Sequence, residues 1–266
     1  MSDGRLTATR PESREEAPGG PRAPGRIGVV AGYALRACFP PRRRLGLLLP
    51  AFGAVLFGLL ARVLDGPPEE ALAAVAGGGL FGVILPVGCL VTGDAVLGAE
   101  VRSGTLHFTW LSPTGFATIV AGRWLAGLAV ALAAVAAPFA LAALAAGVPS
   151  AAPWLALAAG TGAAAYVAVF VMLGAFARRA VVWSLGVVVL GERLLGTALS
   201  GVAQWSPSWE GRAVYAELGP GAESLARSGI PEGWGAVARL GVITAVALAL
   251  AAWRLGRLRL TGPSGD

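Results

Sequence analysis

Glu192 and Arg193 stand side by side inside an otherwise apolar run, Val181–Ala203. Ionisable groups at such a place are costly and face an interior, a water-filled cavity or a partner of opposite charge. Neighbours on a helix diverge by about 100°, so the two side chains cannot share a face. Three arrangements fit. One residue lines a conduit while the other pairs with a different helix; both belong to an ion-pair network inside a bundle; or the run breaks there and opens both to an external vestibule. The expectation is that Glu192 faces the conduit and Arg193 the bundle. Asp94, near the end of another apolar run, reads as an interfacial cap or a partner for a nearby Arg.

Most other chemistry is excluded by residue type. The chain has no lysine; all 21 basic residues are arginine. A phosphate-binding Walker loop needs a Lys on the β/γ-phosphates, and Schiff-base catalysis needs a Lys amine. The chain therefore carries neither a P-loop nor a pyridoxal phosphate site, and no cofactor is expected. His107 is the single histidine, and Cys38 and Cys89 are the two cysteines. No metal site with several N/S ligands at fixed spacing can be assembled from them. Cys38 precedes the first apolar run and Cys89 lies inside the second, so they read as small apolar fillers. Intramembrane proteolysis is not supported either. There is no Gly-x-Ser-x-Gly with a histidine in a span and no His-Glu-x-x-His, and Glu69-Glu70 falls in a turn. No cluster supplies positioned acid, base and nucleophile, so no catalytic residue is expected.

The elements that position these residues follow from composition. Of the 266 residues, 56% are hydrophobic and 14% charged, and the mean hydropathy is +0.70. Soluble domains carry roughly 25% charged residues. Such a chain is expected in a bilayer, as spans of about 20 apolar residues. Six runs qualify: Leu45–Leu64, Ala71–Leu97, Thr118–Ala146, Trp154–Ala177, Val181–Ala203 and Val237–Trp253. The two-residue alternation of a membrane barrel is missing, and lipid-exposed backbone must bond locally, so all six read as helices.

Arginine placement sets the expected topology. Sixteen of the 21 fall before the first run, in the second and fourth connections and after the last run. The opposite connections, 65–70, 147–153 and 204–236, carry Arg212 and Arg227, with Arg62 and Arg239 at span ends. The positive-inside rule then predicts six spans with both termini cytoplasmic. A net charge of +6 distributed along span ends does not describe a nucleic-acid surface.

Residues 1–26, rich in Pro, Gly, Arg and Glu, read as a disordered cytoplasmic tail and not a signal peptide, having no apolar h-region. Arg42-Arg43-Arg44 lies too deep to be a twin-arginine signal. A membrane domain of six spans is expected over 27–260. At about 27–39 an amphipathic helix ending at Pro40-Pro41 is expected to lie on the inner leaflet. Ala156, Gly160, Ala164 and Ala168 form a small-residue stripe of the kind that lets helices approach closely in lipid. In the 204–236 connection, Ser206-Pro207 reads as an N-cap and first helical residue, predicting helices over about 207–218 and 222–227. Its Trp205, Trp209, Tyr215 and Trp234 suit a membrane–water boundary.

The charged connection at 99–125 bears a motif: Glu100, then Gly104-Thr105-Leu106, then Leu111-Ser112-Pro113, then Arg123 at the start of the next run. This pattern resembles the type 2 permease subunits of ATP-binding cassette exporters. That family usually has Lys where Arg123 stands. The resemblance covers about a tenth of the chain. It implies a permease powered by a separate ATPase, docked on Glu100, Arg102, Gly104, Thr105, Leu106, His107, Leu111 and Pro113. It also implies a dimer, with a second copy or a sister permease, and an external connection that dips into the outer leaflet and helps close the exit. Apolar walls suit a lipidic or amphiphilic substrate. A non-transporting membrane scaffold or assembly factor is the alternative, and an intramembrane enzyme the less favoured one.

Overall fold

The structure is a computed structural model that describes residues 26–37, 44–93, 115–176, 180–186, 188, 190, 192, 194 and 196–257. The described residues form helices joined by turns, with no strand among them. In chain order the main ones are α1 (Arg26–Ala37), α2 (Arg44–Val63), α3 (Pro68–Thr92), α4 (Phe116–Ala146) and α5 (Pro149–Phe176). They are followed by α6 (Ala180–Gly186), α7 (Pro207–Leu218) and α8 (Gly233–Arg257). Among the described residues, α3, α4, α5 and α8 are long and apolar enough to cross a membrane. Those helices correspond to runs two, three, four and six.

α2 corresponds to run one; its Leu48–Val63 stretch is apolar but shorter. Run five is described only in part. After α6, Val188, Leu190, Glu192 and Leu194 are π-helical, and short turns of helix follow at Gly196–Ala198 and Ser200–Ala203.

Two long helices carry π-helical insertions, Ala76–Ile84 in α3 and Leu132–Ala136 in α4. Each ends just before an internal proline, Pro86 and Pro138. Proline has no N–H and its ring collides with the carbonyl of residue i−4. Widening the preceding turn relieves both problems without ending the helix. The run Gly77-Gly78-Gly79 leaves α3 little side-chain packing of its own in that stretch.

The core is small-residue packing. α2 and α4 meet at Gly58, where a Cβ would stand 2.7 Å from the Ala142 Cα and closer still to its carbonyl oxygen. Gly160 of α5 lies against Leu132 and Ala136 of α4, so the expected stripe does serve a helix contact. Trp124 Nε1 donates to the Ala164 carbonyl at 3.0 Å along the same seam. The outward surfaces are apolar. α2 exposes Leu48, Leu49, Phe52 and Leu56, and α8 exposes Val242, Val246, Leu250 and Trp253. Water would not tolerate such continuous faces; together with the four span-length helices they suggest a membrane-embedded protein.

Neighbouring ends show that the helices alternate in direction. The 64–67 and 147–150 turns border one groove, with Pro67, Glu69, Val148 and Ser150 in its lining. Gly221 packs on Glu69 and Glu70 at that same end. At the other end Gly46 meets Val91 and Gly256 meets Phe116, and the Arg254 guanidinium lies 5.6 Å from the Phe176 ring centroid. α1 packs on α4, with Val30 and Ala31 against Gly122, and leaves Ile27, Val29 and Tyr33 exposed.

Candidate functional site

The segment that carries the permease resemblance, with Glu100, Arg102, Gly104, Thr105, Leu106, His107, Leu111 and Pro113, lies outside the described residues, as do Asp94 and Arg193. So do Cys38 and residues 1–25. The helices on either side of the segment are described. Arg123 sits about two turns inside α4 with its side chain 3% exposed.

Glu192 is described, and its carboxylate is buried. The Tyr166 hydroxyl of α5 donates to Glu192 Oε2. Cys89 of α3, wholly buried, and Ser208 of α7 lie close enough to interact with the Tyr166 hydroxyl. Polar groups from α3, run five, α5 and α7 thus meet inside the bundle. Tyr166 is about 15 Å along α5 from Phe176 at 1.5 Å per residue, about half of a 30 Å hydrocarbon core. Glu192 therefore meets a tyrosine in the packed interior.

α7 explains how this site is closed. The predicted N-cap forms: the Ser206 hydroxyl accepts from the Trp209 N–H at 3.5 Å and shares a hydrogen bond with Ser208 at 3.0 Å. Pro207 at the first helical position has no N–H to leave unsatisfied. The helix ends at Leu218, as expected from the sequence. The second predicted helix is only a short 3-10 turn, Glu223–Leu225. With 12 residues, α7 is too short to cross a bilayer. It is nonetheless packed into the bundle. Gly162 of α5 faces the Pro207 carbonyl, and Gly211 faces Phe81 and the Ala158 carbonyl. As α7 runs from 207 to 211 its neighbours on α5 run from 162 to 158, so the two helices are antiparallel and the α7 N-terminus lies deepest. Phe81 stacks edge-on to Phe139 at 5.3 Å and lies 6.3 Å from Tyr215, tying α3, α4 and α7 together. The 204–236 connection packs α7 against α3 and α5, and most of α7 is buried; Trp205 and Trp234 alone of its marked aromatics are widely exposed.

A second polar layer lies above. Arg212 and Arg227 both place their guanidinium carbons over the Trp209 ring, at 4.2 and 4.3 Å. Arg227 Nη1 also donates to the Gly196 carbonyl at 2.8 Å. It fastens the 204–236 connection to run five, one turn beyond Glu192. Glu210 of α7 is completely buried and accepts from Arg239 of α8 at 3.3 Å. Burial pushes the Glu210 carboxyl up to about 7, although Arg239 pulls the other way. Sequence reading missed Glu210 and Tyr166, because nothing local marks which polar residue of a helix turns inward, and it passed over Gly58, which the small-residue spacing of Ala54, Gly58 and Ala61 could have marked.

The raised Glu210 pKa carries a pH prediction. A carboxyl whose folded pKa exceeds its unfolded value favours the folded state most when protonated, below about 4.5, and loses that contribution as pH rises through about 7. Thermal stability in detergent should fall across that window by on the order of 2 kcal/mol more in the wild type than in Glu210→Gln. Parallel pH profiles of the two proteins would contradict the burial argument.

Searches against protein-family models and characterised proteins find no match to this chain.

Proposed function

We propose that this protein is the six-span permease subunit of an ATP-binding cassette exporter in the cell membrane, with both termini cytoplasmic. The observation that carries the reading is the Glu100…Gly104-Thr105-Leu106…Pro113 pattern between two long apolar helices, with Arg123 about two turns into the second. The half-length helix α7, folded among α3, α5 and α8 with its polar N-terminus on Tyr166, supports it, because such an element can close one end of a pathway. A separate ATPase supplies the energy, since this chain has no Lys for a nucleotide loop. Two permease copies, or one with a sister permease, join two ATPases. Closure of the ATPases pushes on the 99–115 connection and switches access from one side to the other, a two-state equilibrium biased by ligand bound elsewhere. The substrate class that suits an apolar bundle is lipidic or amphiphilic.

Glu100→Arg should remove a pairing to a basic ATPase surface, and Gly104→Val should block a turn or close backbone approach. Both variants should insert normally. Purified with an ATPase that copurifies with the wild type, each should show reduced transport-coupled ATP hydrolysis. Normal coupling in the double variant, or failure of any ATPase to copurify with the wild type, would favour the scaffold reading instead.

The topology has its own test. In a background lacking Cys38 and Cys89, cysteines at Pro68 and Ser224 should react with an impermeant reagent from outside, and a cysteine at Ser103 should not. External labelling at Ser103 would overturn the orientation.

A further inference from the structure

An open groove of about 520 Å³ lies between the 204–205 turn and α8, lined by Gln204, Trp205, Pro231, Ala238, Arg239 and Val242. Its wall is apolar except for Gln204 and Arg239. Arg239 keeps a third of its side chain accessible, while the carboxylate it holds, Glu210, is wholly buried behind it. The cation therefore faces the groove and the anion does not.

Position adds to the charge. Arg239 is about 9 Å along α8 from its first residue, Gly233, at 1.5 Å per residue. Exposed Trp205 and Trp234 stand at the same end of the helix, the level at which indoles gather at a membrane boundary. An arginine at that depth extends toward headgroup phosphates while its stem lies on apolar surface. Below it, Val242 and Val246 continue as an exposed apolar strip toward the bilayer centre. A guanidinium recognises phosphate with charge-assisted hydrogen bonds.

We propose that this groove binds one anionic phospholipid from the adjoining leaflet, with the phosphodiester on Arg239 and an acyl chain along Ala238 and Val242. The site rests on α8 crossing a membrane and is independent of the transport reading. Gln204 supplies an amide beside the headgroup, and Trp205 covers the glycerol region.

The test is lipid binding to the purified full-length protein by native mass spectrometry, comparing dimyristoyl phosphatidylglycerol with dimyristoyl phosphatidylcholine. Both lipids present a phosphodiester to Arg239, but the choline ammonium offsets that charge and is repelled by the guanidinium, so phosphatidylglycerol, with its net negative charge, should bind about tenfold more tightly. Arg239→Gln should abolish the preference and Arg239→Lys should retain part of it. Because Arg239→Gln also strips Glu210 of its partner and can disturb folding, Ala238→Leu provides a second arm. Ala238 is exposed in the groove, and its side chain leaves α8 about 100° from that of its neighbour Arg239, so leucine there narrows the groove without replacing either member of the Arg239–Glu210 pair. It should weaken both lipids while the thermal stability stays at the wild-type level. Glycerol 3-phosphate at equal concentration should not compete. Equal binding of the two lipids, unchanged binding in Ala238→Leu, or competition by glycerol 3-phosphate would each overturn the proposal.

Discussion

Gly58→Val should be the most destabilising single substitution in the helix bundle. The Cβ that valine brings would meet the Ala142 Cα and carbonyl carbon at 2.7 and 2.8 Å, distances that a side-chain rotation cannot relieve because the atoms belong to the α4 backbone. Either α2 moves away from α4 or both helices bend. Overpacking typically costs 1–3 kcal/mol, and a backbone-on-backbone obstruction belongs at the upper end, about 3 kcal/mol. In lipid no hydrophobic driving force recloses the gap, since association depends on the close packing itself. The measurement is thermal unfolding in detergent, with Gly32→Val as the control: Gly32 on α1 has open space where its Cβ would go. Equal melting temperatures for the two variants would show that α2 and α4 do not touch at Gly58.

The second large effect is expected at the Tyr166–Glu192 pair. Tyr166→Phe keeps the ring against Phe170, whose centroid is 5.6 Å away, and removes only the hydroxyl that donates to the Glu192 carboxylate. Taking a donor from a buried acceptor costs about 1–3 kcal/mol, more if the acceptor is charged. Glu192→Gln retains an oxygen that can accept from the tyrosine and should cost less than Tyr166→Phe. The two substitutions should not add. In the double variant, coupling of about 1 kcal/mol or more should appear, as for residues in one hydrogen-bond network. Additive losses would mean that the hydroxyl and the carboxylate do not interact. If Glu192 instead opens to a hydrated conduit in the transport cycle, Glu192→Gln should leave stability nearly unchanged and lower transport, so both quantities need to be measured on the same preparations.

The contrast between Gly58 and Gly160 shows what a sequence pattern can reveal. Gly160 belongs to a four-residue small-side-chain stripe, and the structure does place it on a helix contact with Leu132 and Ala136. Gly58 lies on a second small-residue stripe, with Ala54 and Ala61 at four- and three-residue spacing and all three buried, which the sequence reading did not single out. Its neighbours Phe57 and Leu59 are bulky, and only the crossing of α2 with α4 makes it the closest approach. The Ser206-Pro207 cap is a purely local signal and was legible to the residue. The depth of α7 was not, because a 12-residue helix of mixed polarity reads equally as a surface element.

By itself the sequence determined the apolar helices, their approximate ends and the Arg-rich and Arg-poor ends they present. Those properties follow from transfer free energy and local hydrogen bonding, which act residue by residue along the chain. It also determined what the chain lacks: a lysine for phosphate, and a set of histidines and cysteines for a metal. Tertiary structure alone decided that Glu192 meets Tyr166, 26 residues away along the chain, that Glu210 turns inward onto Arg239, and that the connection between runs five and six folds back among α3, α5 and α8. Those contacts depend on how helix faces rotate against one another. In a bundle built of Ala and Gly, whose faces differ little in hydrophobicity, periodicity carries almost no record of that rotation.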